Sequence, residues 1–172
     1  RPWPQALARQ LFGLPAEGPL LLFGAIGGSR DPRKGWDLLE PALRQLAQTH
    51  PQLQAVVFGQ SQPADPPRLG LPLHYEGSLH DDQSLALLYS ATDVMVVPSR
   101  MDNLPQTATG LPDVVEHQRT GYLATHFDPA DLPHGDQWLL DSTERHSSVS
   151  LWTPRQIAHT HADLYREILS RT

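Results

Sequence analysis

The chain has 172 residues, a formal net charge of −6 and a sequence pI near 5.8, which suits one domain with a substantial hydrophobic core. Its acidic balance argues against a general nucleic-acid binder, which needs basic surface to neutralise phosphates. The lack of cysteine excludes disulfides and thiolate metal sites, and no apolar stretch has the length of a membrane span, so we expect a soluble, cytoplasmic domain.

Short apolar runs alternate with amphipathic segments along the chain. The apolar runs predict buried strands over residues 20–26, 53–58, 73–76 and 93–97. Apolar residues at helical spacing predict helices over 36–49, 81–91 and 153–171, with a further start within 128–132. This alternation with short connections predicts an α/β fold with a Rossmann-like parallel sheet flanked by helices.

The first candidate binding loop is GGSRDPRKG, residues 27–35, between a strand end and a helix start. Gly27 and Gly28 let the backbone approach a ligand closely, and the helix N-terminus offers N–H groups. Three basic residues add positive charge: Arg30, Arg33 and Lys34. The loop therefore predicts a phosphate or pyrophosphate site. Because it is neither a Walker A sequence nor G-x-G-x-x-G, a solvated basic turn is the alternative on this loop alone.

The second candidate loop follows the strand at 93–97 and carries Asp102, Asn103 and Gln106. In open parallel sheets, ligands bind outside the carboxyl ends of the strands, which is where this loop would lie. Its carboxylate and amide groups suit hydrogen bonds to the hydroxyls of a sugar. The alternative is a loop whose Asp and Asn side chains only cap a turn and the next helix.

Taken together, these loops and their neighbours resemble family-four retaining glycosyltransferases. The segments that carry the resemblance are FGAIGGSRDPRKG (23–35), VVFG (56–59), HYEG (74–77), LYSATDVMVVPSRMDNLPQT (88–107), GLPDVV (110–115) and TGYLA (120–124). They occur in the family's order and match the C-terminal, nucleotide-sugar-binding half of its two-domain GT-B fold. The resemblance implies transfer of a hexose from a nucleotide diphosphate sugar to a glycan or lipid-linked acceptor, with no metal or other cofactor.

The resemblance also implies roles for particular residues. Lys34 and Arg30 would hold the donor pyrophosphate in place of metal ions, and Asp102 stands at the first acid of the family's E-x7-E pattern. These three are the expected catalytic residues. The remaining expected donor-binding residues are Gly27, Gly28, Arg33, Gly77, Ser78, Leu79, Asn103, Leu104 and Pro105. Of these, 77–79 would lie along the nucleobase and 103–105 would face the transferred sugar.

The chain departs from the family pattern in three places. Ala25 stands where the family has a basic residue after the first strand, so Arg30 is the nearest substitute. Gly110 stands at the second acid of E-x7-E. The passage from Thr109 to Gly110 also lacks the crossover of a dozen or more residues that two parallel strands need. We therefore expect a segment to be missing there, with a degraded variant of the family as the alternative. By comparison with the family's continuous helical tail, we expect another missing segment around 144–150.

The whole chain, 1–172, is thus expected to be a donor-binding domain. Its Pro-rich start, 1–4, resembles an interdomain linker, and an acceptor domain would precede it. Alone, the domain would bind donor without turning it over. By family analogy, the parent enzyme would be bacterial and would serve polysaccharide biosynthesis in the cytoplasm, at the inner face of the membrane.

Two other classes of function stay open on the sequence. The first is a non-catalytic nucleotide-sugar-binding or regulatory α/β domain, and the second is half of a GT-B-like nucleotide-sugar epimerase or hydrolase. The nine histidines have no metal-ligand spacing, so no metal site is predicted. No nucleic-acid partner is expected either.

Overall fold

A computed structural model describes residues 3–24, 31–99, 115–125 and 131–141. In chain order its elements are α1 (Gln5–Leu11), β1 (Leu20–Gly24), a 3-10 turn (Pro32–Lys34), α2 (Trp36–Thr49), β2 (Gln54–Phe58), β3 (Leu73–Tyr75), α3 (Asp82–Ala91), β4 (Val94–Val96) and α4 (Leu132–Asp141). The four strands form one sheet in the order β3-β2-β1-β4. All three strand pairs are parallel.

Both faces of this sheet are buried, which explains why its strands are apolar without alternation. Leu21 and Phe23 of β1 face a core formed with α2, and Leu132, Leu139 and Leu140 of α4 pack against that core. Leu20 and Leu22 face the opposite core, which includes Ala8 of α1 and residues of α3. The sheet is thus the middle layer of a three-layer α/β domain, as the sequence predicts.

The predicted elements agree closely with the observed ones inside the described ranges. The helix at 36–49 has the predicted bounds, and the Asp81 carboxylate caps α3 by accepting a hydrogen bond from the Ser84 backbone N–H at 2.7 Å. The four strands begin or end within one or two residues of their predicted positions wherever both ends are described. The helix predicted at 153–171 and the gaps expected near 109/110 and around 144–150 lie outside the described residues.

Helix α1 is not among the predicted elements, because the Pro-rich start of the chain resembles a linker. Two residues of this helix are buried: Ala8 is fully buried, and Arg9 is only 4% exposed. A small residue and a charged one do not form the apolar stripe by which a helix is recognised in sequence. The residue that forms an ion pair with the buried Arg9 lies 84 positions further along the chain.

That partner is Asp93, which directly precedes β4. The Arg9 Nη2 lies 2.8 Å from the Asp93 Oδ2, and the two side chains are 5% and 9% exposed. The same carboxylate oxygen accepts from the Leu20 backbone N–H at 2.8 Å. Arg9 also donates to the backbone carbonyls of Ala91 at 2.9 Å and Ala16 at 3.1 Å. These added hydrogen bonds offset the desolvation of the two charges, and they join α1 to the starts of β1 and β4.

We expect Arg9→Met to lower the free energy of unfolding by about 3–5 kcal/mol, because it leaves a buried carboxylate without its cation. Urea unfolding followed by far-UV circular dichroism measures this loss. Glu40→Gln is the matched control, since it breaks a more exposed pair with Arg44 (side chains 32% and 49% exposed) and should cost under about 0.5 kcal/mol. Equal losses in the two variants would show that the Arg9–Asp93 pair contributes no more to the free energy of unfolding than an exposed ion pair does.

Candidate functional site

The described part of the predicted pyrophosphate loop is the turn from Asp31 to Gly35. The Asp31 carboxylate caps the 3-10 turn by accepting from the Arg33 backbone N–H at 3.0 Å. Gly35 has a φ of +72°, a left-handed conformation that favours glycine. Its carbonyl accepts from the N–H groups of Leu38 and Leu39 at 3.0 and 3.1 Å. The turn therefore leads directly from Lys34 into the first turn of α2.

This turn is in direct contact with the end of β4. A Cβ atom added to Gly35 would collide with the carbonyl oxygen of Pro98, a buried residue two positions after β4. The two loops that the sequence singles out therefore meet, through Gly35 and Pro98, at the carboxyl edge of the sheet. Parallel α/β sheets bind their ligands at this edge.

The charge of the turn is less positive than the sequence suggests. Arg33 forms a two-pronged ion pair with Asp31, with Nη2–Oδ2 at 2.7 Å and Nε–Oδ1 at 3.0 Å. These hydrogen bonds from Arg33 lower the pKa of Asp31 to about 2, so its carboxylate is charged at any physiological pH. Asp37 adds a second negative charge in the first turn of α2. An anion bound here would compete with Asp31 for Arg33, and the partly buried Lys34 is the other cation of the turn.

The predicted nucleobase segment, 77–79, lies at the same edge of the sheet, after β3. Gly77 has a φ of +63°, and its carbonyl accepts from the Gly59 backbone N–H at 2.6 Å. Ser78 is exposed, whereas the Leu79 side chain packs against the core beside α3. A ligand here would thus meet the backbone at Gly77 and the Ser78 hydroxyl, and Leu79 would support them from below.

Two groups at this edge are not among the candidates that the sequence provides. Gly59 holds the loop after β2 against the loop after β3, and its only sequence signal is a glycine directly after an apolar run. Glu76 immediately precedes Gly77, and its backbone N–H donates to the Val57 carbonyl at 2.9 Å. Burial raises the pKa of the Glu76 carboxyl. In the sequence, Glu76 is marked only by its place in the motif HYEG, and the family resemblance implies no role for this acid.

Seven predicted site residues lie outside the described part of the chain: Gly27, Gly28, Arg30, Asp102, Asn103, Leu104 and Pro105. Their roles stay predictions. Within the described ranges, no group of three or more His, Asp or Glu side chains is placed to hold a metal ion. None of the helices described above is long and apolar enough to cross a membrane.

Asp136 of α4 is a buried carboxylate away from the predicted loops. It lies on the same helical face as Leu132, Leu139 and Leu140, which pack against the core, and it is 3% exposed. Among the residues that the structure describes, its Oδ2 has no hydrogen-bond partner. Burial raises its pKa to about 7, because a charged carboxylate loses its hydration there. This face of α4 contacts α2 and β4, so we interpret Asp136 as a polar residue within a packing surface.

No protein-family model and no curated protein sequence matches the chain. A solved structure does: the 1.35 Å crystal structure of the C-terminal domain of a group 1 family glycosyl transferase, LpcC, from Francisella tularensis. The two superpose with a TM-score of 0.62 over 82% of this chain and 86% of that one, at 19% sequence identity. The chain has the fold of a glycosyltransferase C-terminal domain. The predicted Rossmann-like architecture is therefore confirmed, and at this identity the likeness extends to the fold alone.

We expect Gly35→Ala to destabilise the domain by at least about 2 kcal/mol, since a left-handed conformation costs a non-glycine residue roughly 1–2 kcal/mol and the methyl group would also displace Pro98. Gly13→Ala is the control, because Gly13 has a φ of +64° and a Cβ added to it would meet no atom of the described residues within 4 Å. The difference between the two variants in urea unfolding isolates the contact with Pro98. If their losses were equal, the turn would not be seated against β4.

We expect the stability of the domain to fall as pH rises from about 4 to about 7. The folded state holds the proton of Asp136 up to a pKa of about 7, against 3.8 ordinarily, so it binds more protons than the unfolded state across this window. Asp136→Asn should remove a slope of up to about 1.4 kcal/mol per pH unit. Urea unfolding at several pH values between about 4.5 and 7.5 measures the slope.

Asp131→Asn is the control for this pH dependence. The Tyr122 hydroxyl donates to Asp131 at 2.7 Å and lowers the pKa of that carboxyl to about 2. Its contribution is therefore complete above the ordinary pKa and is lost only as pH falls towards about 2. This control substitution should leave the slope across the same pH window unchanged, and a slope that persists in Asp136→Asn would refute the assignment.

Proposed function

We propose that this chain is the donor-binding domain of a family-four retaining glycosyltransferase. The full enzyme would transfer a hexose from a nucleotide diphosphate sugar to a glycan or lipid-linked acceptor, held by a second domain. The observation that carries the proposal is the contact of Gly35 with Pro98, because it joins the two motif-bearing loops at the ligand-binding edge of a parallel sheet. The likeness in fold to a glycosyltransferase C-terminal domain supports it.

In this proposal the diphosphate of the donor lies at the turn before α2. Lys34 supplies the positive charge, the first N–H groups of α2 add their dipole, and the left-handed Gly35 keeps this stretch of backbone without a side chain. Lys34 is the only lysine of the chain, and its charge would take the place of a metal ion. Arg30 would be the second cation, and Arg33 would contribute after exchanging part of its ion pair with Asp31.

The nucleobase would lie along 77–79, where the exposed Ser78 hydroxyl and the left-handed Gly77 leave the edge of the sheet open. The sugar would be oriented by Asp102 and by the backbone of 103–105. Catalysis would then consist of positioning and of stabilising negative charge on the leaving diphosphate. Donor binding would not require the second acid of E-x7-E, whose position Gly110 occupies.

That substitution favours a second candidate function. A domain without the second acid would suit a nucleotide-sugar-binding or regulatory role in which no transfer takes place. The first candidate predicts that binding depends on Lys34, and the second predicts no such dependence. They also differ in whether the full protein releases nucleotide diphosphate in the presence of an acceptor, which a coupled assay of diphosphate release measures.

The decisive experiment is calorimetric titration of the chain with UDP, GDP and ADP and with the glucose and mannose adducts of each. We expect selective binding of one nucleotide series. Lys34→Ala should weaken it by about 2 kcal/mol, roughly 30-fold, the scale of a charge-assisted contact with phosphate. Lys34→Arg should retain most of the affinity, since it keeps the charge.

Arg44→Ala is the control for loss of positive charge. Arg44 is an exposed residue of α2 paired with Glu40, so its loss lowers the net charge without touching the turn. Nucleotide binding that Lys34→Ala and Arg44→Ala weaken equally would reflect non-specific attraction and would contradict the proposed site. A folded chain that binds none of the nucleotides would also contradict it.

A further inference from the structure

A cavity of about 450 Å³ lies between the start of α2 and the connection from β2 to β3. Its lining residues are Trp36, Pro63, Asp65, Pro66, Pro67 and Arg68. The volume falls within the range of sites that hold small molecules, roughly 300–1,000 Å³. Trp36 follows Lys34 by two positions, so the cavity adjoins the proposed diphosphate site. None of its lining residues belongs to the motifs to which a donor-binding role is assigned.

Residues on both sides of this cavity are anchored by contacts with the rest of the domain. The Trp36 ring packs against the buried Phe23 ring of β1, with centroids 5.3 Å apart. On the opposite side, Leu69 anchors the connection in the core at 3% exposure, and the Arg44 guanidinium donates to the Arg68 carbonyl. The adjacent Pro66 and Pro67 restrict the backbone between these anchors. A preformed cavity binds with less loss of conformational entropy than one that must be assembled.

The lining combines apolar surfaces with one negative and one positive side chain. The indole ring and the pyrrolidine rings present C–H and aromatic surface. The carboxylate of Asp65 accepts hydrogen bonds, and the guanidinium of Arg68 donates them in a planar fork. Both residues are exposed, and across the described ranges neither side chain has a protein partner. A phosphate would be repelled by Asp65, and a simple cation by Arg68.

We infer that this cavity is a subsite for a neutral saccharide unit. A pyranose ring has an apolar C–H face that can pack on the Trp36 indole. Its hydroxyl groups can donate hydrogen bonds to the Asp65 carboxylate and accept hydrogen bonds from the Arg68 guanidinium. The choice of a saccharide over other neutral polar ligands rests on the proposed function, because a glycosyltransferase binds glycans as acceptors or products. None of the lining residues belongs to 102–105, to which the proposed function assigns the donor's own sugar.

The test uses the full chain labelled with ¹⁵N and titrated with three probes: methyl α-D-mannopyranoside, methyl β-D-glucopyranoside and maltose. The indole N–H of Trp36, identified by its loss in Trp36→Phe, should shift with at least one probe. Asp65→Ala and Arg68→Ala should each weaken that probe at least tenfold. Since both side chains are exposed and without protein partners in the described part of the chain, these variants should fold even where a Trp36 variant does not.

Glu17→Ala is the matched control, because Glu17 is an exposed acid that does not line the cavity, and it should leave saccharide binding unchanged. Absence of any shift at Trp36, or a shift that survives both Asp65→Ala and Arg68→Ala, would overturn the inference. Titration of the same samples with the nucleotides separates the two proposals. Nucleotide binding without saccharide binding would reject the subsite alone, and saccharide binding without nucleotide binding would reject the donor site alone.

Discussion

The buried ion pair between Arg9 and Asp93 is the interaction on which the arrangement of the site depends. Asp93 receives both the Arg9 guanidinium and the Leu20 backbone N–H, so it fixes β4 relative to β1, in a register that pairs Leu21 with Val94. A slip of one residue would move β4 by about 3.3 Å and exchange its two faces. Pro98 would then no longer meet Gly35. A contact at the amino edge of the sheet thus sets the geometry of the carboxyl edge.

Glycines determine what can come together at that carboxyl edge. Gly24 ends β1, and a Cβ placed there would collide with the Phe58 ring, so the last side chain of β2 lies across the end of β1. A Cβ placed at Gly35 would likewise collide with the Pro98 carbonyl oxygen, so the backbone after β4 lies against the turn before α2. In both places a missing side chain lets two segments approach more closely than any other residue would allow. These contacts keep the edge compact, while the positive charge of Lys34 stays beside it.

Much of the fold follows from local sequence patterns. The helix over Trp36–Thr49 has a clear apolar stripe, and β1 and β2 are continuous apolar runs, so each can be recognised from a short window of sequence. Helix α1 escapes this reasoning because Arg9 is buried by a residue more than eighty positions away. In a short window of sequence, a charged residue such as Arg9 is interpreted as lying on the solvent-exposed face of a helix.

The site is less predictable than the fold for the same physical reason. The glycines and Lys34 can be found from their spacing, whereas the ion pair that occupies Arg33 depends on the folded shape of the turn. A D-x-R spacing is the only trace of that pair in the sequence. The cavity beside Trp36 leaves no local signal at all, since its two walls are contributed by segments almost thirty residues apart.

The connection between β2 and β3 has a further consequence for the shape of the domain. It runs from 59 to 72 without forming a helix, although a crossover between parallel strands is usually helical. A helix with its side chains is about 10 Å across, and an extended proline-rich segment is considerably thinner. This segment therefore takes the place that a second crossover helix would occupy. The cavity beside Trp36 lies between it and the start of α2, so the lack of a helix in this crossover leaves room for the cavity, and the side chains that line it set its chemistry.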